Sequence, residues 1–264
     1  MLKEILPAVV DLSLEVGNFL KTEQASLGLS DASFKGRSND LVSRADKEAE
    51  ERFVRGLRAI LPEAGFIAEE GTSTERGERF NWIIDPLDGT TNYLYGIPFW
   101  CTSVALRDGD EVVLGVIFDP MHAACFDAFR GGGARLNATP ISVSEQSDMS
   151  RALVAMGFPY DDRGRMRAYL EILETVNSRT RGIRRPGAAA LDMAYLACGR
   201  FDAFYEYNLN PWDVAAGDIL IREAGGTVTD FSGGGNYIFG KQILCTNGRI
   251  HENFQSLFKE WRTC

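Results

Sequence analysis

The chain is poor in several residue classes, and each shortage narrows what it can be. Of its 264 residues only His122 and His251 are histidines. Neither a histidine-rich metal centre nor a Ser-His-Asp triad is expected from so little imidazole. Its five cysteines, Cys101, Cys125, Cys198, Cys245 and Cys264, are odd in number, widely spaced and free of any CxxC pair. That pattern suits reduced thiols in a cytoplasm better than a disulfide framework or a zinc site. No apolar run approaches the ~20 residues that span a bilayer. The N-terminal stretch is broken by Glu4, Asp11 and Glu15, unlike a signal peptide, so a soluble, cytoplasmic protein is expected. Positive charge is also short. With 28 Lys and Arg against 37 Asp and Glu, the net charge is −9 and the pI about 4.9, which argues against nucleic acid or an anionic membrane as a partner.

The acidic surplus is not itself a site, because a solvated surface accounts for most of it. Otherwise the makeup is that of an ordinary globular protein, 45% hydrophobic and 25% charged. No repeat, low-complexity tract or linker stands out, so residues 1–264 are expected to form a single unit, with a soft division near residue 150.

Apolar residues at three- and four-residue intervals predict a helix over 2–21. A second helix is expected over 43–61, with Phe53, Val54, Leu57 and Ile60 inward, closed by Pro62 and Gly65. Short strands follow at 65–68 and 81–84. Strands at 99–106 and 111–118 flank the turn Asp108-Gly109-Asp110, and a further strand at 123–129 runs into Gly131-Gly132-Gly133, a tight turn. The second half alternates: strands at 153–156 and 202–205, helices at 166–176, 187–198 and 212–224, short strands at 228 and 243–245, then a last helix over 251–261. This rhythm predicts layered α/β architecture.

The most informative segment is Trp82-Ile83-Ile84-Asp85-Pro86-Leu87-Asp88-Gly89-Thr90-Thr91-Asn92-Tyr93. An apolar strand runs into two carboxylates held three residues apart by a proline-fixed turn. Asp-Pro-x-Asp-Gly at a strand end is by itself an ordinary loop. It also suits a hard cation, since magnesium takes oxygen ligands from few carboxylates. The backbone N–H groups of Gly89-Thr90-Thr91 suit a phosphate. Carboxylates and phosphate side by side repel unless cations lie between them, so the two readings support one another. Gly131-Gly132-Gly133 and Gly233-Gly234-Gly235 do not lead into Gly-Lys-Ser/Thr and fit no GxGxxG after a strand, so neither is a nucleotide loop.

That segment resembles the first signature of the inositol monophosphatase family. Glu69-Glu70 is similar to the family's acidic pair. Trp212-Asp213-Val214-Ala215-Ala216-Gly217, followed by Glu223-Ala224-Gly225-Gly226, resembles its second signature. Asp40-Leu41-Val42-Ser43-Arg44-Ala45-Asp46 resembles its N-terminal block. The landmarks run in family order from about residue 40 to 226.

The resemblance implies an α-β-α-β-α sandwich of the inositol monophosphatase and fructose-1,6-bisphosphatase type, with a metal-binding half over 1–150 and a half completing the site over 151–264. It implies two or three Mg²⁺ ions: Glu69, Asp85 and the Leu87 carbonyl at one, Asp85, Asp88 and Asp213 at a second, and Glu69 helping to hold a third through water. Thr90, supported by Asp46, would orient the attacking water with Glu69, and the Gly89 and Thr90 amides would hold the phosphate. Glu206 would grip substrate hydroxyls with a backbone contact at Ala189, and Asp88 is implied to bind substrate as well. Two ions about 3.5–4 Å apart can clamp the attacking and leaving oxygens of an in-line displacement. A homodimer and lithium sensitivity are implied as well.

Bland alternatives stand beside several of these roles. Asp46 and Asp213 sit at predicted helix starts, where acidic residues complement the dipole or cap the first turn. Asn210 stands where some members carry histidine. Arg184 and Arg185 pair with carboxylates, lie at a subunit interface or receive a second phosphate. Inositol 1-phosphate is the first substrate expected, because Thr91-Asn92-Tyr93 looks more like the inositol group. Fructose 1,6-bisphosphate, histidinol phosphate and adenosine 3′,5′-bisphosphate are the alternatives, and a protein- or RNA-binding factor on the same fold is the rival from another class.

Overall fold

The computed structural model describes residues 1–24, 33–34, 41–42, 44–71, 73, 75–159 and 164–263. Asp40 and Ser43 of the N-terminal acidic block, most of the polar stretch 30–39 and Cys264 lie outside the described residues.

Two helices form the first layer. Helix α1 (Leu2–Gln24) buries Leu6, Val9, Ser13, Val16, Gly17 and Leu20, the three- and four-residue spacing of one helical face. Helix α2 (Arg44–Ile60) buries Ala45, Asp46, Ala49, Glu50, Phe53 and Leu57 in the same way, with Val54 and Ile60 half-buried at its edge. Two short strands, β1 (Ser33–Phe34) and β2 (Leu41–Val42), pair with each other between these helices.

The second layer is a seven-stranded sheet in chain order: β3 (Gly65–Ala68), β4 (Phe80–Asp88), β5 (Cys101–Asp108), β6 (Glu111–Asp119), β7 (Ala124–Phe129), β8 (Ala134–Leu136) and β9 (Thr139–Ile141). Strand β3 lies parallel to β4, and the rest are antiparallel. All nine residues of β4 are buried, because both faces are covered. Trp82 and Ile84 pack into the cluster with α1 and α2, whereas Ile83 faces the opposite cluster. This is the two-residue alternation of a strand read on two buried faces.

The third layer is α5 (Ala189–Ala197) and α6 (Pro211–Glu223), whose small, apolar faces let two sheets approach from either side. The fourth is a five-stranded mixed sheet of β10 (Leu153–Met156), β11 (Gly182–Arg184), β12 (Ala203–Tyr207), β13 (Thr227–Thr229) and β14 (Gln242–Thr246), ordered β11-β10-β12-β14-β13. Phe204, Ile243 and Cys245 face α5 and α6. Tyr205, Tyr207 and Leu244 face the last layer, α4 (Met166–Arg179) and α7 (His251–Gln255). The result is an α-β-α-β-α sandwich.

Two local differences from expectation have physical causes. The last helix is not continuous over 251–261: α7 ends at Gln255 and the chain tightens into a 3₁₀ helix over Ser256–Thr263. Phe254, Phe258 and Trp261 all insert among Tyr205, Tyr207 and Phe231, and the tighter winding keeps the three rings on one face. The hairpin of β8 and β9 turns on Asn137 and Ala138 at φ 49° and 64°. A left-handed alanine is a poor turn signal. Edge strand β11 and the five-residue helix α3 (Thr90–Leu94) are also additional.

Candidate active site

Register brings the first two carboxylates together. Ala68 pairs with Ile84 across the parallel β3 and β4, so Glu69, just past the end of β3, and Asp85, the next residue of β4, come side by side. The Glu69 amide still donates to the Ile84 carbonyl at 3.3 Å.

Strand β4 does not stop at Asp85. It continues to Asp88 through a bulge, pairing Asp85 with Ser103 and Asp88 with Cys101. Three steps on β4 therefore oppose two on β5. Pro86, which has no N–H to place in a ladder, sits in that irregularity. The Leu87 amide donates to Asp85 Oδ1 at 3.0 Å, closing the turn locally. Gly89 follows at φ 91°, a conformation suited to glycine, and a Cβ there would come within 3.1 Å of the Phe99 carbonyl. The Thr90 hydroxyl donates to the Leu87 carbonyl at 3.1 Å.

The second half supplies the rest. Asp213 is the third residue of α6, and its Oδ2 accepts from the Asn210 amide at 2.6 Å. It is thus a capping residue whose carboxylate also lines the cavity, so the two readings of this position coexist. The Ala190 amide, in the first turn of α5, donates to Asp88 Oδ2 at 2.7 Å. The amides of Ala189 and Leu191 also point at that carboxylate, and the Cys101 thiol donates to it at 3.8 Å.

One cavity of about 190 Å³ gathers Glu69, Asp85, Leu87, Asp88, Gly89, Thr90, Ala189, Glu206 and Asp213. Every expected site residue lines it except Asp46, which is buried on α2, close enough to Tyr93 for its charge to help push that phenol up. The cavity also includes residues that no sequence motif marks: Gly157, Phe158, Pro159 and Asp192. Asp192 stands in an apolar helical run, Leu191-Asp192-Met193, which gives no sequence signal of a site. Both arginines are exposed; Arg185 lines the cavity, while Arg184 donates to the Ile183 carbonyl.

Electrostatics give the cavity its character. Burial pushes the Asp85 carboxyl well above the usual carboxylate range, and the negative charges of Glu69, Asp88 and Asp213 push it further. Burial lifts Asp88 to about 6 against the pull of the α5 amides. Asp213 is raised by burial and by Glu69, Asp88 and Glu206, and opposed by the Asn210 amide. Burial with the charge of Asp88 lifts Glu206 to about 8, against Arg185.

Packed carboxylates that each disfavour their own ionisation are a donor set waiting for positive charge. All are oxygen donors, the chemistry of a hard cation such as Mg²⁺. Among the described residues no three His, Cys, Asp or Glu side chains are already closed into a ligand cluster. The residues present nonetheless fit divalent cations.

The model of the inositol monophosphatase family matches residues 1–262. Inositol-1-monophosphatase of Rhizobium meliloti (strain 1021) is 41% identical over 247 residues, covering 93% of this chain and 92% of that protein. Nus factor SuhB of Escherichia coli (strain K12) is 38% identical over 247 residues with the same coverage. Among solved structures, extragenic suppressor protein suhB from Bartonella henselae superimposes with a TM-score of 0.90 at 37% identity, covering 97% of this chain and 98% of that one.

Proposed function

The chain belongs to the inositol monophosphatase family, and from that premise we propose that it hydrolyses a small phosphate monoester with magnesium, inositol 1-phosphate first among the candidates. The observation that supports this reading is the convergence of Glu69, Asp85, Asp88 and Asp213, from both sheets' surroundings, on one small cavity.

Glu69, Asp85 and the Leu87 carbonyl would hold one ion, and Asp85, Asp88 and Asp213 a second, with Glu69 assisting a third through water. Bound there, the cations would supply a more acidic water and neutralise charge building on the phosphate oxygens. The chain's own groups do the positioning. The Thr90 hydroxyl donates its proton to Leu87, so its lone pairs are left to accept from a water. Together with Glu69 that contact aims the water's oxygen at phosphorus, opposite the leaving oxygen. Attack forms the new P–O bond as the ester P–O bond breaks, and the alcohol departs with a proton. The Gly89 and Thr90 amides hold the phosphate. Asp88, Ala189 and Glu206 face the alcohol. Asp46, on α2 and outside the cavity lining, would support Thr90.

Phosphate release from inositol 1-phosphate, titrated with Mg²⁺ and run beside Asp85→Asn, tests this. Magnesium-dependent release that vanishes in the variant supports it. Stronger turnover of fructose 1,6-bisphosphate, histidinol phosphate or adenosine 3′,5′-bisphosphate would replace the substrate but keep the chemistry. A second reading follows from the relatives named Nus factor SuhB: a regulatory, protein- or RNA-binding role on the same fold. It gains support if the catalytically dead Asp85→Asn chain still complements loss of the gene.

A further inference from the structure

One carboxylate in the cavity has no task in that reaction. Asp192 lies in the first turn of α5, only 1% exposed, and lines the cavity with Glu206 and Arg185. It does not cap its helix: the amides of Ala189, Ala190 and Leu191 are directed at Asp88, and its own amide donates to the Ala188 carbonyl. Its Oδ1 is enclosed and accepts no hydrogen bond. A buried carboxyl oxygen without a donor is costly and calls for an explanation.

The surroundings say what kind of donor is missing. Glu206 and Asp88 press negative charge on Asp192, and among the described residues Arg185 is the counterweight. Glu206 is itself buried, its carboxylate packed against Gly157. Among the described residues, this end of the cavity therefore presents two carboxyl groups and one guanidinium. A second phosphate would meet more repulsion than attraction there. A neutral alcohol bearing several hydroxyls would instead supply O–H donors to both carboxyls. The terminal torsion of aspartate is broad and two-fold, so the carboxyl can reorient to present an oxygen to a bound hydroxyl.

Resting on the phosphatase reading above, we propose that Asp192 is a specificity-determining residue: beside Glu206 it accepts a hydrogen bond from a hydroxyl of the substrate's alcohol part, so that the cavity selects monoesters of neutral polyols over bisphosphates.

The test compares inositol 1-phosphate with phenyl phosphate, whose leaving group has no further hydroxyl. For Asp192→Ala, KM for inositol 1-phosphate is expected to rise about tenfold or more, with kcat near wild type and phenyl phosphate hydrolysis unchanged. Asp192→Asn keeps the volume and one acceptor oxygen. It should recover part of the loss, and it carries the test if the alanine variant does not fold. Equal losses on both substrates, no loss on either, or a wild type that prefers a bisphosphate would overturn the assignment while leaving the phosphatase standing. A wild type inactive on both substrates overturns this assignment, and one inactive also on fructose 1,6-bisphosphate, histidinol phosphate and adenosine 3′,5′-bisphosphate overturns the phosphatase reading with it.

Discussion

The Asp88 carboxylate on β4 accepts a 2.7 Å hydrogen bond from the amide of Ala190, 102 positions further along the chain. That bond fastens the bulged end of one sheet to the helix layer between the sheets. It also holds the carboxylate in place before any ion arrives. The cavity is built at this seam, with Glu69, Asp85 and Asp88 on one side and Glu206 and Asp213 on the other.

Asp85→Asn is expected to separate activity from stability. Burial and three neighbouring carboxylates raise the folded-state pKa of Asp85, so its charge opposes folding above its unfolded value of about 4. In chelator the variant should unfold at a urea midpoint equal to or above wild type, and added Mg²⁺ should stabilise it less. Turnover should fall by roughly 100-fold or more, beyond what outer-shell changes cause. A variant with wild-type turnover at low magnesium would remove Asp85 from the metal site.

Gly157→Ala should displace one side chain without breaking the fold. The new Cβ would collide with the Glu206 carboxylate, and the glycine does not occupy a left-handed conformation. Circular dichroism should be unchanged, while KM for inositol 1-phosphate rises and phenyl phosphate turnover is spared. Unchanged kinetics on both would show that Glu206 has another resting place.

Glu223, on α6, clasps the first glycine turn: its two carboxylate oxygens accept from the Gly131 and Gly133 amides at 2.8 Å each. Glu223→Ala should destabilise by about 1–3 kcal/mol, the range for losing charged hydrogen bonds that are partly solvent-exposed. Saturated turnover should not change, because the turn lies outside the cavity. A chemical denaturation curve beside the steady-state rate measures both.

His251, at the start of α7, is partly buried between Thr246 and Thr229, with Thr246 Oγ1 3.0 Å from its Nδ1. Burial lowers its pKa below 6.5. Folding then favours the neutral ring, so its contribution is complete above about 6.5 and declines as pH falls toward the folded value. The urea midpoint should drop on acidification through that window, and His251→Gln should flatten the slope. An identical slope in the variant would place the linkage elsewhere.

Much of this could be read from one dimension. The helices at the N-terminus follow from their spacing, and Asp85-Pro86-Leu87-Asp88-Gly89 marks its corner because proline and glycine restrict the backbone locally. The bulge that carries β4 on to Asp88 was less visible, since it exists only against the register of β5. The Asn137-Ala138 turn hid its hairpin because alanine rarely takes a positive φ. Asp192 was hidden more completely: between Leu191 and Met193 it looks like one polar position on an apolar helix.

The sequence by itself determined the chemistry available: many carboxylates, few imidazoles, one proline-fixed acidic corner and a second acidic helix start. Those are local properties of residue type and backbone restriction. Tertiary structure alone decided which carboxylates share a cavity, that Asp46 does not line it, and that Asp192 and Gly157 belong to it. The reason is that repulsion, burial and hydrogen bonding depend on distances in space. The parallel β3–β4 register and the placing of α5 and α6 between two sheets fix those distances across more than one hundred positions of chain.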